Sequence, residues 1–282
     1  METFPNCLDC IKNAAERTLK ELQLVSKEED RVMKKVLDYL DNANLSLTPM
    51  EIGFGMFEII QHETGVIDPL KSLKKESNHN ALELVSKAKR IIDESDDPLY
   101  TALKVSIAGN IIDFGVKSEY NLSETLDEVL EKEPFIDNYE LLVRELSKAK
   151  KLTFLADNAG EIVFDKLLLE RIVNSYSLEK IFLVLKKYPF GNDIVAEDIS
   201  DLKFEEIPGL EIISLNNLLN KNYTKQMKTF IDQADVIIAK GQGNFELLYD
   251  DQFGLFFLFI VKCNVVKDIL KCEKEDILIA FQ

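Results

Sequence analysis

Apolar positions in the first half of the chain recur at helical spacing. Leu8, Ile11, Ala15, Leu19 and Leu22 fall three and four residues apart, which puts them on one face of a helix. The segment 29–43 (EDRVMKKVLDYLDNA) repeats that period, and Thr48-Pro49 followed by Glu51 has the residues of a helix start. Further helices are predicted over 49–63, 78–94, 97–112, 123–131 and 138–147, and strand-like alternation is nearly absent from this stretch. At Lys150 the texture changes. Short β-rich runs at 151–156, 180–185, 210–215, 235–239, 254–261 and 277–281 alternate with helical candidates at 160–175, 194–201, 223–233 and 264–271. Such alternation needs crossover connections, so it predicts a mostly parallel sheet covered on both faces. The expectation is an α/β chain with a helical domain over 1–147 and a Rossmann-like α/β domain over 148–282.

Open parallel sheets gather ligands beyond the carboxyl ends of their strands. After the first predicted strand comes Asp157-Asn158-Ala159-Gly160-Glu161, and after the second Gly191-Asn192-Asp193. After the fourth comes Lys240-Gly241-Gln242-Gly243-Asn244-Phe245-Glu246. Three polar, glycine-containing turns therefore fall on one edge of the sheet. Taken singly, Asp157 and Asn158 read as a helix N-cap. Taken with Asp193, they read as oxygen ligands for a hard cation such as Mg²⁺ or Mn²⁺. Lys240 and the glycines after it suggest an anion cradle, with a tight strand-to-helix turn as the plain structural alternative; the run is neither GxGxxG nor a P-loop.

Two other groups carry chemistry. In Ser106-Ile107-Ala108-Gly109-Asn110-Ile111-Ile112-Asp113, the polar Asn110 and Asp113 sit three apart within an apolar helix, where they either bridge helices or face the cleft. Cys7 and Cys10 form a CxxC in the first helix, with no second CxxC to complete a zinc site and no βαβ unit behind it. Two small buried residues, a redox pair, or a site completed by Cys263 or Cys272 all fit that pattern.

Composition narrows the function classes. The chain has 282 residues, 46% hydrophobic and 30% charged, the mix of a globular protein that can bury a core. Its net charge of −16, from 50 acids against 34 bases, lacks the basic footprint of nucleic-acid binding and disfavours anionic membranes. The longest apolar run, 255–261 (LFFLFIV), falls far short of the roughly 20 residues a bilayer span requires. The opening METFPNCLDCIKN has neither the basic head nor the apolar core of a signal peptide, and four Cys do not make a disulfide framework, so the cytoplasm is the expected compartment. The two His, His62 and His79, lie in no metal-ligand spacing, which leaves most of any catalysis to carboxylates.

The ordered motifs CxxC, SIAGNIIDFG, ADNAGEIVFD, GNDIVAED, KGQGNFE and Lys262-Cys263 resemble those of the damage-control phosphatases, formerly a domain-of-unknown-function family. Within it the chain is most similar to the prokaryotic branch with CxxC, GNFE-like and KC motifs, and the resemblance runs from Cys7 to Cys263. It implies a helical N-terminal part attached to a three-layer α/β/α sandwich and a metal-dependent phosphoric monoester hydrolase. It implies a divalent cation (Mn²⁺, Ni²⁺, Co²⁺ or Mg²⁺) held by Asp157, Asn158 and Asp193. Lys240 matches the family lysine that faces the phosphate, and Asp157 is a candidate nucleophile beside metal-bound water. The expected substrate contacts are Lys240, Gly241, Asn244, Glu246, Glu161, Asn110 and Asp113. The implied substrate is a small phosphorylated metabolite: a damaged or surplus sugar phosphate, an oxidised purine nucleotide or a related intermediate. Cys7, Cys10 and Cys263 are expected to form either a second metal site or a redox group. One departure stands out: similar proteins carry Asn-Asp-x-Thr where this chain has Asn192-Asp193-Ile194-Val195, which bears on substrate preference. The alternatives are a non-catalytic metabolite-binding protein and a Rossmann-like methyltransferase. The methyltransferase would need more glycine after the first strand than ADNAGE provides.

Overall fold

The periodic apolar faces of the N-terminal segment close on one another as a small helical cluster. A computed structural model describes residues 1–109, 122–218, 222–251 and 253–282. In it α1 (Pro5–Glu21), α2 (Ser26–Asp41) and α3 (Pro49–Thr64) bury Ile11, Ala15, Leu19, Val32, Val36 and Ile60 between them. Thr48 and Glu51 form a capping box at the start of α3: Glu51 N donates to Thr48 Oγ1 at 3.3 Å and Thr48 N to Glu51 Oε2 at 2.9 Å. Then follow α4 (Lys71–Glu94), α5 (Pro98–Ala108), α6 (Leu122–Glu131) and α7 (Tyr139–Leu146).

The strands are β1 (Ile136–Asp137), β2 (Lys151–Leu155), β3 (Lys180–Lys186), β4 (Leu210–Leu215), β5 (Val236–Lys240), β6 (Phe256–Ile260) and β7 (Ile277–Phe281). They make one seven-stranded sheet in the order β1-β7-β6-β5-β2-β3-β4. Every pairing is parallel except β6–β7. From β2 the sheet grows outward through β3 and β4, whereas β5 returns to the other side of β2. The strand order therefore reverses between β2 and β5, and the crevice at such a switch point is where α/β sheets take ligands.

Helices α8 (Glu161–Ser175), α9 (Tyr223–Ile231), α10 (Gly241–Leu248) and α11 (Asn264–Leu270) complete the chain. Because side chains alternate along a strand, Leu152, Phe154 and Ile238 pack on one face with Leu103, Val105 and Leu168 of α5 and α8. Leu155, Ile237 and Phe257 pack on the other face with Met50 and Phe54 of α3 and Phe245 of α10. Strands covered on both sides read as continuous apolar runs, which is why they stand out in the sequence. Each fully buried Leu, Ile or Phe stabilises the fold by roughly 1.5–3 kcal/mol.

Four elements differ from the sequence reading. The two-residue β1, paired with Leu278 and Ile279, is too short to show alternation. Residues 241–248 form α10 directly from the end of β5, because Gly241 at φ 78° makes the turn in a single residue; its two glycines argue against a helix on propensity alone. The segment 194–201 contributes only a short 3₁₀ turn at Ala196–Ile199, and α4 begins at Lys71 rather than 78.

Candidate active site

The site begins with two loops knitted together past the ends of β2 and β3. Ile194 N donates to the Asp157 carbonyl at 3.0 Å and Ala159 N to the Asn192 carbonyl at 3.0 Å. Between these bonds Asn158 and Asp193 pair as an isolated antiparallel bridge. The backbone alone thus brings Asp157, Asn158 and Asp193 side by side, and all three are buried.

Helix α4 anchors both loops from behind. Asn78 Oδ1 accepts from Gly160 N at 2.7 Å, and Asn78 Nδ2 donates to the Asp198 carbonyl at 2.8 Å. Lys74, fully buried, lies 2.6 Å from Asp198 and 2.7 Å from Asp68. Asp198 Oδ2 in turn accepts from Val195 N at 2.9 Å. Nothing in the local sequence marks Lys74, Asn78 and Asp198 as supports of the site, since the contacts that tie α4 to the two loops span 82 to 124 residues of chain.

The charges at the loops are unevenly balanced. Burial pushes the Asp157 carboxyl well above the usual carboxylate range, and the neighbouring Asp193 and Glu161 push it further. Asp193 is ion-paired with the buried Lys186, which lies one residue beyond the strand predicted over 180–185 and closes β3 in the structure. Burial opposes the Lys186 ammonium, yet the Asp193 carboxylate and its neighbours outweigh that and hold its pKa above the ordinary lysine value. Asn158 Nδ2 donates to Asp157 Oδ2 at 2.6 Å and, more loosely, to Glu161 Oε2 at 3.4 Å. An amide whose nitrogen faces two carboxylates carries its carbonyl oxygen on the other side. Two carboxylates and an amide form the oxygen donor set that suits a hard divalent cation.

Lys240 occupies a place different from the one its motif implies. Its Nζ lies 2.7 Å from Glu161 Oε1 and 2.9 Å from Asp165 Oδ1, and it donates to the Ser106 carbonyl at 2.9 Å and to Ser106 Oγ at 2.7 Å. The side chain is fully buried and does not line the cavity. Burial opposes its charge, but Asp165 and Glu161 raise its pKa. Burial likewise lifts the Asp165 carboxyl to about 7, against the pull of Lys240. A lysine at the end of an interior strand is aimed by the strand's alternation. Lys240 shares the face of Ile238, toward α5 and α8, and there it neutralises buried acids.

The other expected contacts divide in the same way. Asn244 is buried and donates to the Lys240 carbonyl at 2.7 Å and the Ala156 carbonyl at 3.2 Å, tying the ends of β2 and β5 together. Glu161 is fully enclosed. Asn110 and Asp113 lie outside the described residues. Gly241 packs against Asp157, while Glu246 opens onto a cavity of about 560 Å³ that Asp157, Asn158 and Asp193 also line. The cationic side chains on that wall are Lys262 and Lys274, with Gln242 and Gly243 of α10 beside them. Met50 and Phe190 supply an apolar flank.

Cys7, Cys10 and Cys263 also line this cavity, whereas Cys272 is buried elsewhere. Cys263 Sγ accepts from Val266 N at 3.4 Å at the start of α11 and from Gln242 Nε2 at 3.3 Å. Burial raises the Cys7 and Cys263 thiols above their ordinary pKa, which favours neutral thiols. Among the described residues, no group of three or more His, Cys, Asp or Glu is placed to hold a metal ion.

Comparison with known proteins gives this site a family. The damage-control phosphatase ARMT1-like domain matches residues 3–278. A damage-control phosphatase of Archaeoglobus fulgidus is 30% identical over 95% of this chain and 96% of its own length. A damage-control phosphatase of Pyrococcus horikoshii is 30% identical over 97% of this chain and 96% of its own. An uncharacterised protein of Methanocaldococcus jannaschii is 32% identical over 96% and 93%. The fold superposes on a crystal structure of a DUF89 family protein from Pyrococcus horikoshii with a TM-score of 0.86 and 28% identity, covering 100% of this chain and 99% of that one. With the domain match running almost from end to end, the chain belongs to the damage-control phosphatase ARMT1-like family.

Proposed function

We propose that this chain is a metal-dependent phosphatase that hydrolyses phosphomonoesters of small metabolites. The observation that carries the reading is the burial of Asp157 and Asp193 together at the switch point, opening onto a cavity whose wall holds Lys262. Mutual repulsion and desolvation leave Asp157 short of positive charge, even with Lys186 paired to Asp193. A divalent cation (Mn²⁺, Ni²⁺, Co²⁺ or Mg²⁺) fits that deficit, with Asp157, Asn158 and Asp193 as its holders. When bound, it supplies Lewis-acid polarisation of a phosphate oxygen and neutralises developing charge.

The protein's own groups do the rest. Lys262 orients the phosphate as a point charge. The Lys240–Glu161–Asn158 chain of contacts fixes the amide of Asn158 and hence the ligand edge of the site. Asp157 is either a ligand throughout or the nucleophile of an aspartyl-phosphate route. The substrate class is sugar phosphates or oxidised purine nucleotides and their intermediates, and the apolar flank of Met50 and Phe190 suits a non-phosphate portion of such a molecule. We assign the chain to the cytoplasm, with neither nucleic acid nor membrane as partner. Among the described residues no helix is long and apolar enough to cross a membrane.

The test is phosphate release from a panel of phosphomonoesters with each divalent metal in turn. Turnover should need added metal, vanish on chelation and return on re-addition. Turnover that survives thorough chelator dialysis would overturn the metal assignment. Tight ester binding with no phosphate released under any metal would favour a metabolite-binding protein instead.

A further inference from the structure

Glu246 lines the same cavity as Asp157, one helical turn beyond Gly243 on α10. Gly243 of that helix lies beside the acid: a Cβ there would be 3.9 Å from Asp157 Oδ1. Glu246 follows at i+3 and so shares its face, roughly 5 Å along the helix axis from it. Its carboxyl is held in place by a side-chain amide. Gln242 Nε2 donates to Glu246 Oε1 at 2.7 Å, and Gln242 is itself fixed because its Oε1 accepts from Lys262 N at 2.8 Å. Among the described residues no lysine or arginine forms an ion pair with Glu246. The arrangement separates two carboxyl roles, one at the cation and one farther along the cavity.

We propose that Glu246 is the proton donor to the leaving oxygen of the ester, an inference that rests on the phosphatase reading above. As the bond between phosphorus and the ester oxygen breaks, its electron pair goes to that oxygen, which takes the proton from the Glu246 carboxyl. The oxygen that joins phosphorus in the product comes from water, and one proton of that water returns to the Glu246 carboxylate. The balance is ester plus water to alcohol plus phosphate. An alkoxide is a poor leaving group, and a positioned acid typically contributes ~10²–10⁴-fold to such a step. Burial supports the assignment by lifting the Glu246 carboxyl to about 7, against the hydrogen bond from Gln242. The titratable and charged groups that line the cavity with it are Cys7 and Cys10 of α1, Asp157, Asp193, Lys262, Cys263 and Lys274, and the Met1 ammonium donates to the Glu246 carbonyl at 2.6 Å and draws the carboxyl's pKa down. The side of α3 facing the cavity contributes Met50, Gly53 and Met56, which do not titrate.

The experiment compares wild type and Glu246→Gln on an alkyl phosphate and on p-nitrophenyl phosphate, with metal added, across pH. Nitrophenolate leaves without a proton. The alkyl ester should therefore lose about 100-fold in kcat, and the nitrophenyl ester at least about tenfold less. The wild-type rate on the alkyl ester should fall as pH rises through about 7, where Glu246 loses its proton, and the variant should lack that limb. Equal losses on both esters, with the limb retained, would overturn the proposal. Wild type alone provides a second reading that does not depend on the variant folding. Across esters of rising leaving-group pKa, kcat should stay nearly level with a donor in place, and a steep decline would overturn the assignment. A wild type inert on every ester with every metal would instead overturn the phosphatase reading itself.

Discussion

The Asp157 carboxylate occupies the space that any side chain at Gly241 would need. A Cβ on residue 241 would lie 1.7 Å from Asp157 Oδ2 and 2.3 Å from its Cγ, and the backbone there has φ 78°. The acid at the end of β2 is thereby seated on the first residue of α10, where the helix dipole favours negative charge. The contact joins the two strands between which the order of the sheet reverses.

Gly241→Ala should therefore fail twice, through the left-handed backbone and through displacement of Asp157. Gly65→Ala is the control, because Gly65 has φ 71° but nothing within 4 Å of its Cβ position. The control should cost ~1–2 kcal/mol of backbone strain. Gly241→Ala should cost more and also weaken metal binding. Thermal melts and metal titration calorimetry check this, and equal melting temperatures with wild-type metal affinity would refute the steric argument.

Asp157→Asn and Asp193→Asn each keep a ligand oxygen and remove one negative charge from the proposed cation site. Both should weaken metal affinity, read by calorimetry without substrate. If water attacks phosphorus, both variants should regain part of their turnover at high metal. If Asp157 attacks, its Asn variant should stay inactive even when loaded with metal, while Asp193→Asn recovers. Wild-type affinity and turnover in both would remove these residues from the site.

The two lysines should separate cleanly. Lys240→Met leaves Glu161 and Asp165 buried without their cation, so unfolding in denaturant should show a loss on the order of 3–5 kcal/mol. Lys262→Ala should leave stability nearly unchanged and raise KM for the phosphate ester. A KM effect confined to Lys240→Met, with stability intact, would restore Lys240 to the phosphate and contradict its enclosure by Ser106, Glu161 and Asp165.

Thiol labelling tests the arrangement of the cysteines. Cys10 is exposed, whereas burial raises the Cys7 and Cys263 thiols. At neutral pH Cys10 should label first and Cys7 and Cys263 slowly, with the difference erased by denaturant. Equal rates for all three in the folded protein would count against the buried geometry.

Much of this protein was legible along the chain. The helix faces of α1 to α3 follow from residues three and four apart, and the interior strands from apolar runs that only a sheet covered on both faces can bury. Asp157, Asn158 and Asp193 were readable because strand ends are where parallel sheets gather polar loops. The helix α10 was hidden by its glycines, one of which is there for the Asp157 carboxylate rather than for helix propensity. Only the tertiary structure decided which lysine meets which acid. Lys240 and Lys262 both follow or end a strand, but the pleat turns Lys240 inward to Ser106, 134 residues away in sequence. Lys262 lies beyond the end of β6, free of that alternation, and lines the cavity. The supports at Lys74, Asn78 and Asp198 were unreadable for the same reason. A buried charge is stable only beside its partner, and that partner is supplied by the fold, from segments whose spacing in the chain carries no trace of the contact.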